Sequence, residues 1–124
     1  MTQIPTVDLG SGVTMPMVGF GTWQLGSRRA SEAVRYALEA GYRHLDTATM
    51  YRNEHEVGQA LRDSGLDRGD VFVTTKLPPG NAGRARATLA ESLRALDTDY
   101  VDLWLIHWPP NGRAAPALMK LSPT

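Results

Sequence analysis

Residues 41–54 read GYRHLDTATMYRNE, and the architecture follows from what this stretch joins. Gly41 stops one helix, His44 and Leu45 begin a short apolar run that closes on Asp46, and Tyr51 arrives just before Asn53, where the next helix opens. A carboxylate and a phenol therefore share one loop. Two later runs end the same way: residues 71–75 close on Lys76, and residues 101–106 close on His107. If these runs are neighbouring parallel strands, Asp46, Lys76 and His107 stand together at strand carboxyl ends. That is the face on which strand–helix barrels hold their chemistry.

Working outward, the segments on either side alternate between the two periods. Ala30, Ala33, Val34, Ala37 and Leu38 form one apolar stripe, which predicts a helix over residues 29–40. Asn53, with Glu56 three residues on, reads as a capping box for a second helix. Val57, Ala60 and Leu61 are its buried face and Gly65 its end. Ala85, Leu89, Leu93 and Leu96 are in phase for a third helix over residues 83–96. Strands are expected at residues 17–20, 44–46, 71–76 and 100–107, the last two apolar on both faces, as in parallel strands covered on both sides. Before them, residues 6–9 and 13–17 flank Gly10-Ser11-Gly12 and read as a β-hairpin.

Strand alternating with amphipathic helix implies parallel crossover units. The expected fold class is α/β: a partial (β/α)8 barrel of about four strands and three helices behind an amino-terminal hairpin, with residues 1–124 a single domain. A complete barrel takes about 250 residues, so the sequence reads as the first half of one, truncated. Residues 111–124, NGRAAPALMKLSPT, carry Pro116 and Pro123 and leave room for barely a helical turn near residues 117–121. They are expected to be an irregular tail.

Composition removes several function classes. Lys plus Arg balance Asp plus Glu at 13 each, so the basic surplus of a nucleic-acid binder is missing. The absence of cysteine excludes disulfides, thiolate metal sites and a cysteine nucleophile. Nowhere is there an apolar run long enough to span a bilayer, and the first residues carry no secretory pattern, so a cytoplasmic protein without membrane partners is expected. His44, His55 and His107 fall in no zinc-like spacing, and no metal site is expected. Gly19 and Gly21 begin a dinucleotide fingerprint, but Gln24 stands where its third glycine would be.

The loop residues suit carbonyl chemistry. An ammonium beside a phenol favours the phenolate, and a carboxylate on its far side keeps the amine charged and aimed. Asp46, Lys76 and Tyr51 supply these parts, and His107 can donate a hydrogen bond to an oxygen above them. Blander readings stand beside this one: a structural Asp46–Lys76 ion pair, a core histidine, a packing tyrosine with a wet hydroxyl, and Trp23 and Trp108 as rim packing. Lys76 as a Schiff-base lysine is a further alternative, disfavoured because pairing with Asp46 holds the amine protonated.

Taken with its segments MPMVGFGTWQLG (15–26), GYRHLDTATMYRNEHEVGQAL (41–61), VFVTTKL (71–77) and ESLRALDTDYVDLWLIHWPP (91–110), the chain closely resembles the amino-terminal half of the aldo-keto reductases. The resemblance implies an NADPH-dependent carbonyl reductase of barrel fold that needs no metal. In it Tyr51 would be the general acid, Lys76 would assist its proton release, Asp46 would pair with Lys76, and His107 would orient the carbonyl. Gly21, Thr22, Trp23 and Asp46 would approach the nicotinamide and its ribose. Trp23, Met50 and Trp108 would line a pocket for aldehydes and small ketones. In this family much of the cofactor grip comes from the second half of the barrel. Activity is therefore expected to need that half, from a partner or by self-association, the alternative being a non-catalytic half-barrel that associates through its open sheet edge.

Overall fold

The computed structural model describes residues 4–109, so the tail at residues 111–124 lies outside the described residues. The chain opens with the hairpin, β1 (Thr6–Gly10) antiparallel to β2 (Val13–Pro16), turning at residues 11–12. It continues as β3 (Phe20–Gly21), α1 (Ser27–Ala40), β4 (His44–Asp46), α2 (Glu54–Asp63), β5 (Phe72–Leu77), α3 (Ala85–Leu96) and β6 (Leu103–Ile106). The last four strands form one parallel sheet in sequence order, β3-β4-β5-β6. An order that never reverses belongs to a barrel wall rather than to a doubly wound sheet, which turns back at a switch point.

The helices form where the apolar stripes place them. Ala30, Val34, Ala37 and Leu38 of α1 are buried, and α1 ends where Gly41 takes φ 110°, a conformation that a side chain would strain. The Gly41 and Tyr42 amides close the last turn on Leu38 O (3.1 Å) and Ala37 O (3.0 Å). Val57, Ala60 and Leu61 of α2 are buried as the pattern requires. The core lies between helices and sheet: Val34 and Leu38 from α1, Leu45, Val57, Ala60, Leu61, Val71, Val73 and Leu96. Gly58 lets α2 approach α3 closely, because a Cβ there would stand 2.4 Å from Leu96 O.

Four expectations need correction. The strand expected at residues 17–20 shrinks to Phe20–Gly21: Met17 N–H bonds Pro5 O (2.8 Å) at the foot of the hairpin, and Gly19 lies against the His44 ring. The third helix begins at Ala85, because Pro79–Arg84 winds into a 3₁₀ turn. Its buried line runs through Thr88 and Ser92, with Leu89 and Leu93 only half-buried. The last strand is confined to Leu103–Ile106, and Leu105 and Ile106 are 40% and 41% exposed, so among the described residues it is not covered on both faces as β5 is. Finally, Asn53 stands at the amino end of α2 but makes no side-chain cap bond to it.

The amino ends of β5 and β6 are fixed by a side-chain cluster that local sequence patterns do not announce. Arg68 Nη1 donates to Val71 O (2.6 Å), and its Nη2 donates to Tyr100 O (2.9 Å) and Asp102 Oδ2 (3.0 Å). The guanidinium also lies 4.1 Å from the centre of the Tyr100 ring. The same Asp102 oxygen accepts the Val73 amide (2.8 Å), so one carboxylate sets where β6 joins β5. This cluster stands at the end of the sheet away from Lys76 and His107.

Candidate active site

Side chains two residues apart on a strand share a face, so His44 and Asp46 on β4 lie on the same side as Phe72, Thr74 and Lys76 on β5. The register pairs Asp46 with Thr74, and the next residue on that side of β5 is Lys76. His44 is used in packing: its ring meets Phe72 edge-on (4.8 Å), Nε2 pairs with Thr74 Oγ1 (2.9 Å) and Nδ1 with Pro16 O (3.3 Å). One step nearer the carboxyl end, Lys76 Nζ donates to Asp46 Oδ1 and to Thr47 O (2.9 Å), and at 3.5 Å, the long limit of a hydrogen bond, to the Tyr51 hydroxyl. The lysine side chain is 13% exposed and that of Asp46 37%, so the pair is only partly screened by water.

Tyr51 is carried on a 3₁₀ turn, Thr49–Tyr51, rather than on the strand. Thr49 Oγ1 is held 3.2 Å from Ser92 Oγ of α3, which ties the start of the turn to the helix layer. His107 follows β6, with its amide on Leu77 O (2.9 Å). Its ring stands edge-on to Tyr51 (5.6 Å, 87°) and packs against Trp108 (4.8 Å). His107 is held below the ordinary histidine value of 6.5, first by burial, then by the positive charge of Lys76, with Asp46 pulling the other way. At neutral pH the ring is therefore neutral and keeps one N–H to donate. Among the described residues its buried Nδ1 has no hydrogen-bond partner.

Trp23, Met50, Tyr51, His107 and Trp108 line a cleft of ≈ 330 Å³. Trp23 is 67% exposed, Met50 49% and Trp108 47%, so three apolar side chains stand at its mouth. Gly21 ends β3 opposite Asp46, and a Cβ at Gly21 would meet nothing within 4 Å. Thr22 is fully buried: its amide and its hydroxyl both donate to Asp46 O at 3.0 Å. The fold thus brings Asp46, Tyr51, Lys76 and His107 into one cluster, sets Trp23, Met50 and Trp108 around it, and turns the Thr22 side chain inward.

Sequence patterns missed two polar residues beneath this cluster. Glu54 is buried and accepts the Thr75 hydroxyl (2.7 Å), and Asn53 joins the loops on either side. The capping-box signal points at Asn53 but assigns it to the helix, and it leaves Glu54 out. A larger hollow of ≈ 740 Å³ between α2 and α3, near Arg62, Leu93 and Tyr100, contains none of the site residues. Among the described residues no cluster of histidine and carboxylate side chains could hold a metal ion, and no helix is long and apolar enough to cross a membrane.

Comparison with known proteins bears on what this cluster is. The profile of the Aldo/keto reductase family matches residues 17–120. The chain is 48% identical over 114 residues to glycerol 2-dehydrogenase (NADP(+)) of Saccharomyces cerevisiae, covering 92% of this chain and 36% of that protein. It is 45% identical to methylglyoxal reductase DkgA of Escherichia coli over 109 residues, covering 88% and 40%. Among solved structures, an aldo/keto reductase from Brucella melitensis superposes with a TM-score of 0.88 at 45% identity, covering 96% of this chain and 49% of that one. A Bombyx mori aldo-keto reductase in complex with NADP gives 0.79 at 40% identity, covering 88% and 39%. The chain spans well under half the length of these curated relatives and about half or less of these solved chains.

Proposed function

The chain belongs to the aldo/keto reductase family, and on that footing we propose that it carries the proton-donating part of an NADPH-dependent reduction of aldehydes and small ketones. One observation carries the reading: Lys76 Nζ stands between Asp46 and the Tyr51 hydroxyl, with the His107 ring edge-on to that of Tyr51. As electrons move onto a carbonyl carbon, its oxygen gains negative charge and needs a proton. Tyr51 delivers it from its hydroxyl, and Lys76 stabilises the phenolate left behind. Asp46 and Thr47 O take the other lysine protons, so the ammonium has one fixed direction. His107 donates a hydrogen bond to the carbonyl oxygen and orients it. Trp23, Met50 and Trp108 offer the substrate an apolar wall at the mouth of the cleft.

The residues present fit a nicotinamide. The backbone at Gly21 is open, since a Cβ there would meet nothing within 4 Å, and the Asp46 side chain, 37% exposed, can face a ribose hydroxyl while paired with Lys76. When bound, the cofactor supplies the hydride. Relatives named for NADP support NADPH over NADH, and a cytoplasmic setting is part of the same proposal. The test is NADPH oxidation by the purified chain with a panel of aldehydes at high protein concentration. Aldehyde-dependent oxidation is expected, and its absence from a folded, cofactor-binding sample would overturn the proposal. A second reading, self-association without catalysis, is favoured by the exposure of Leu105 and Ile106 on β6. A sedimentation velocity run showing only monomer across concentrations would remove it.

A further inference from the structure

We infer that Asn53 is a positioning residue that sets Tyr51 and the partner of Lys76 against the Gly21–Trp23 segment; this inference rests on the reaction proposed above. Asn53 is 1% exposed. Its Nδ2 donates to Thr22 O (2.7 Å) and Leu25 O (2.9 Å), and its Oδ1 accepts from Thr47 Oγ1 (2.8 Å) and, more weakly, from Thr22 Oγ1 (3.4 Å). The amide thus uses both donors and accepts firmly from Thr47, while the one proton of the Thr22 hydroxyl is shared with Asp46 O. Its orientation is determined, because the flipped amide would set its oxygen against two carbonyls.

The consequence lies in which segments these four bonds join. Thr47 precedes the turn that carries Tyr51 and Asn53 follows it, so the Thr47–Asn53 bond closes a loop around that turn. Thr47 O accepts a Lys76 proton, so the same bond steadies the group that aims the lysine. Arg52, between Tyr51 and Asn53, is held in the left-handed region at φ 57°, a conformation a residue with a side chain keeps only when its surroundings impose it. On the other side, Thr22 and Leu25 bracket Trp23 at the mouth of the cleft. One buried amide therefore ties the loop of the proton donor to the loop of the apolar wall. A cap would have served α2, but Asn53 makes no side-chain bond to that helix. Its bonds stabilise the spacing of the two loops instead.

The test labels the full chain with 3-fluorotyrosine at Tyr36, Tyr42, Tyr51 and Tyr100 and follows ¹⁹F resonances, with Tyr51 assigned by Tyr51→Phe. In Asn53→Ala the Tyr51 signal is expected to shift and broaden, while Tyr42, packed on Phe20, and Tyr100, under Arg68, keep their positions. Thr47→Val removes only the hydroxyl that meets Asn53, is close to isosteric, and should move Tyr51 in the same way. It is the deciding variant if Asn53→Ala does not fold. In turnover, Thr47→Val should lower kcat by up to about 10²-fold, the effect of a misplacement on the order of 1 Å, with KM little changed. A Tyr51 resonance unmoved in folded Thr47→Val, or a wild-type kcat in that variant, would overturn the inference. The fluorine readout needs no turnover: a chain with no reductase activity but a displaced Tyr51 signal would refute the proposed reaction and leave the positioning role standing.

Discussion

Replacing Gly58 by alanine tests the packing that holds the helix layer together. A Cβ at this position would stand 2.4 Å from Leu96 O and 2.7 Å from both Leu96 C and Leu96 Cα. Ordinary contact begins near 3.4 Å, so α2 and α3 must part by about 1 Å, and the obstacle is backbone, which cannot swing aside as a side chain does. Overpacking of this kind costs about 1–3 kcal/mol, and a contact with helix backbone belongs at the upper end. The substitution also removes a helical glycine, a gain of about 1 kcal/mol. The net loss is about 2 kcal/mol by these two terms. For a domain of this size that lowers Tm by roughly 6–10 °C. Thermal unfolding followed by circular dichroism reads it directly. Gly69→Ala is the control, because a Cβ there meets nothing within 4 Å. A Tm for Gly58→Ala equal to or above wild type, with Gly69→Ala unchanged, would refute the close α2–α3 approach.

Three further outcomes are expected. Asp102→Asn removes the charge that faces Arg68 and disturbs the acceptor of the Val73 amide, which should cost about 1–3 kcal/mol in urea unfolding; an unchanged midpoint would contradict the role given to that carboxylate. His107 takes up a proton less readily in the folded chain than at its ordinary value of 6.5, so its contribution to stability is complete above that pH. It is lost as pH falls through 6.5 and levels off below the lowered folded value; His107→Gln should flatten that part of the Tm–pH curve, and matching slopes would oppose it. Trp108→Ala should raise KM for bulky aldehydes by about 10-fold, as for a lost apolar contact in a pocket, with small aldehydes little affected; equal changes for both would remove Trp108 from the pocket wall.

What was legible in the sequence was whatever depends on near neighbours. The stripe from Ala30 to Leu38, the stop at Gly41 and the apolar runs ending on Asp46, Lys76 and His107 are local signals, and they placed the helices and aligned the strand ends. What could not be read depends on partners far along the chain. Asn53 carries every sign of a helix cap, yet its amide bonds to Thr22 and Leu25, 31 and 28 residues away. The shortening of β3 goes with the packing of Gly19 on His44, and Arg68 reaches Tyr100 and Asp102, 32 and 34 residues on. In the site, the charges and the phenol were visible as residue types. Their spacing around Lys76 Nζ needed the register of β4 on β5.

The measurement that bears most directly on the account is a pair of NADPH titrations, wild type and Tyr51→Phe, followed by quenching of tryptophan fluorescence, with aldehyde-dependent NADPH oxidation measured on the same samples. Tyr51→Phe keeps the ring against His107 and removes only the hydroxyl, which is both the proton donor and the acceptor of the long Lys76 bond. Saturable quenching with similar Kd in both proteins is expected, with turnover lower by about 10²–10⁴-fold in the variant, the range for a positioned general acid. Wild-type turnover by Tyr51→Phe, or no saturable binding by the folded wild-type chain, would contradict it.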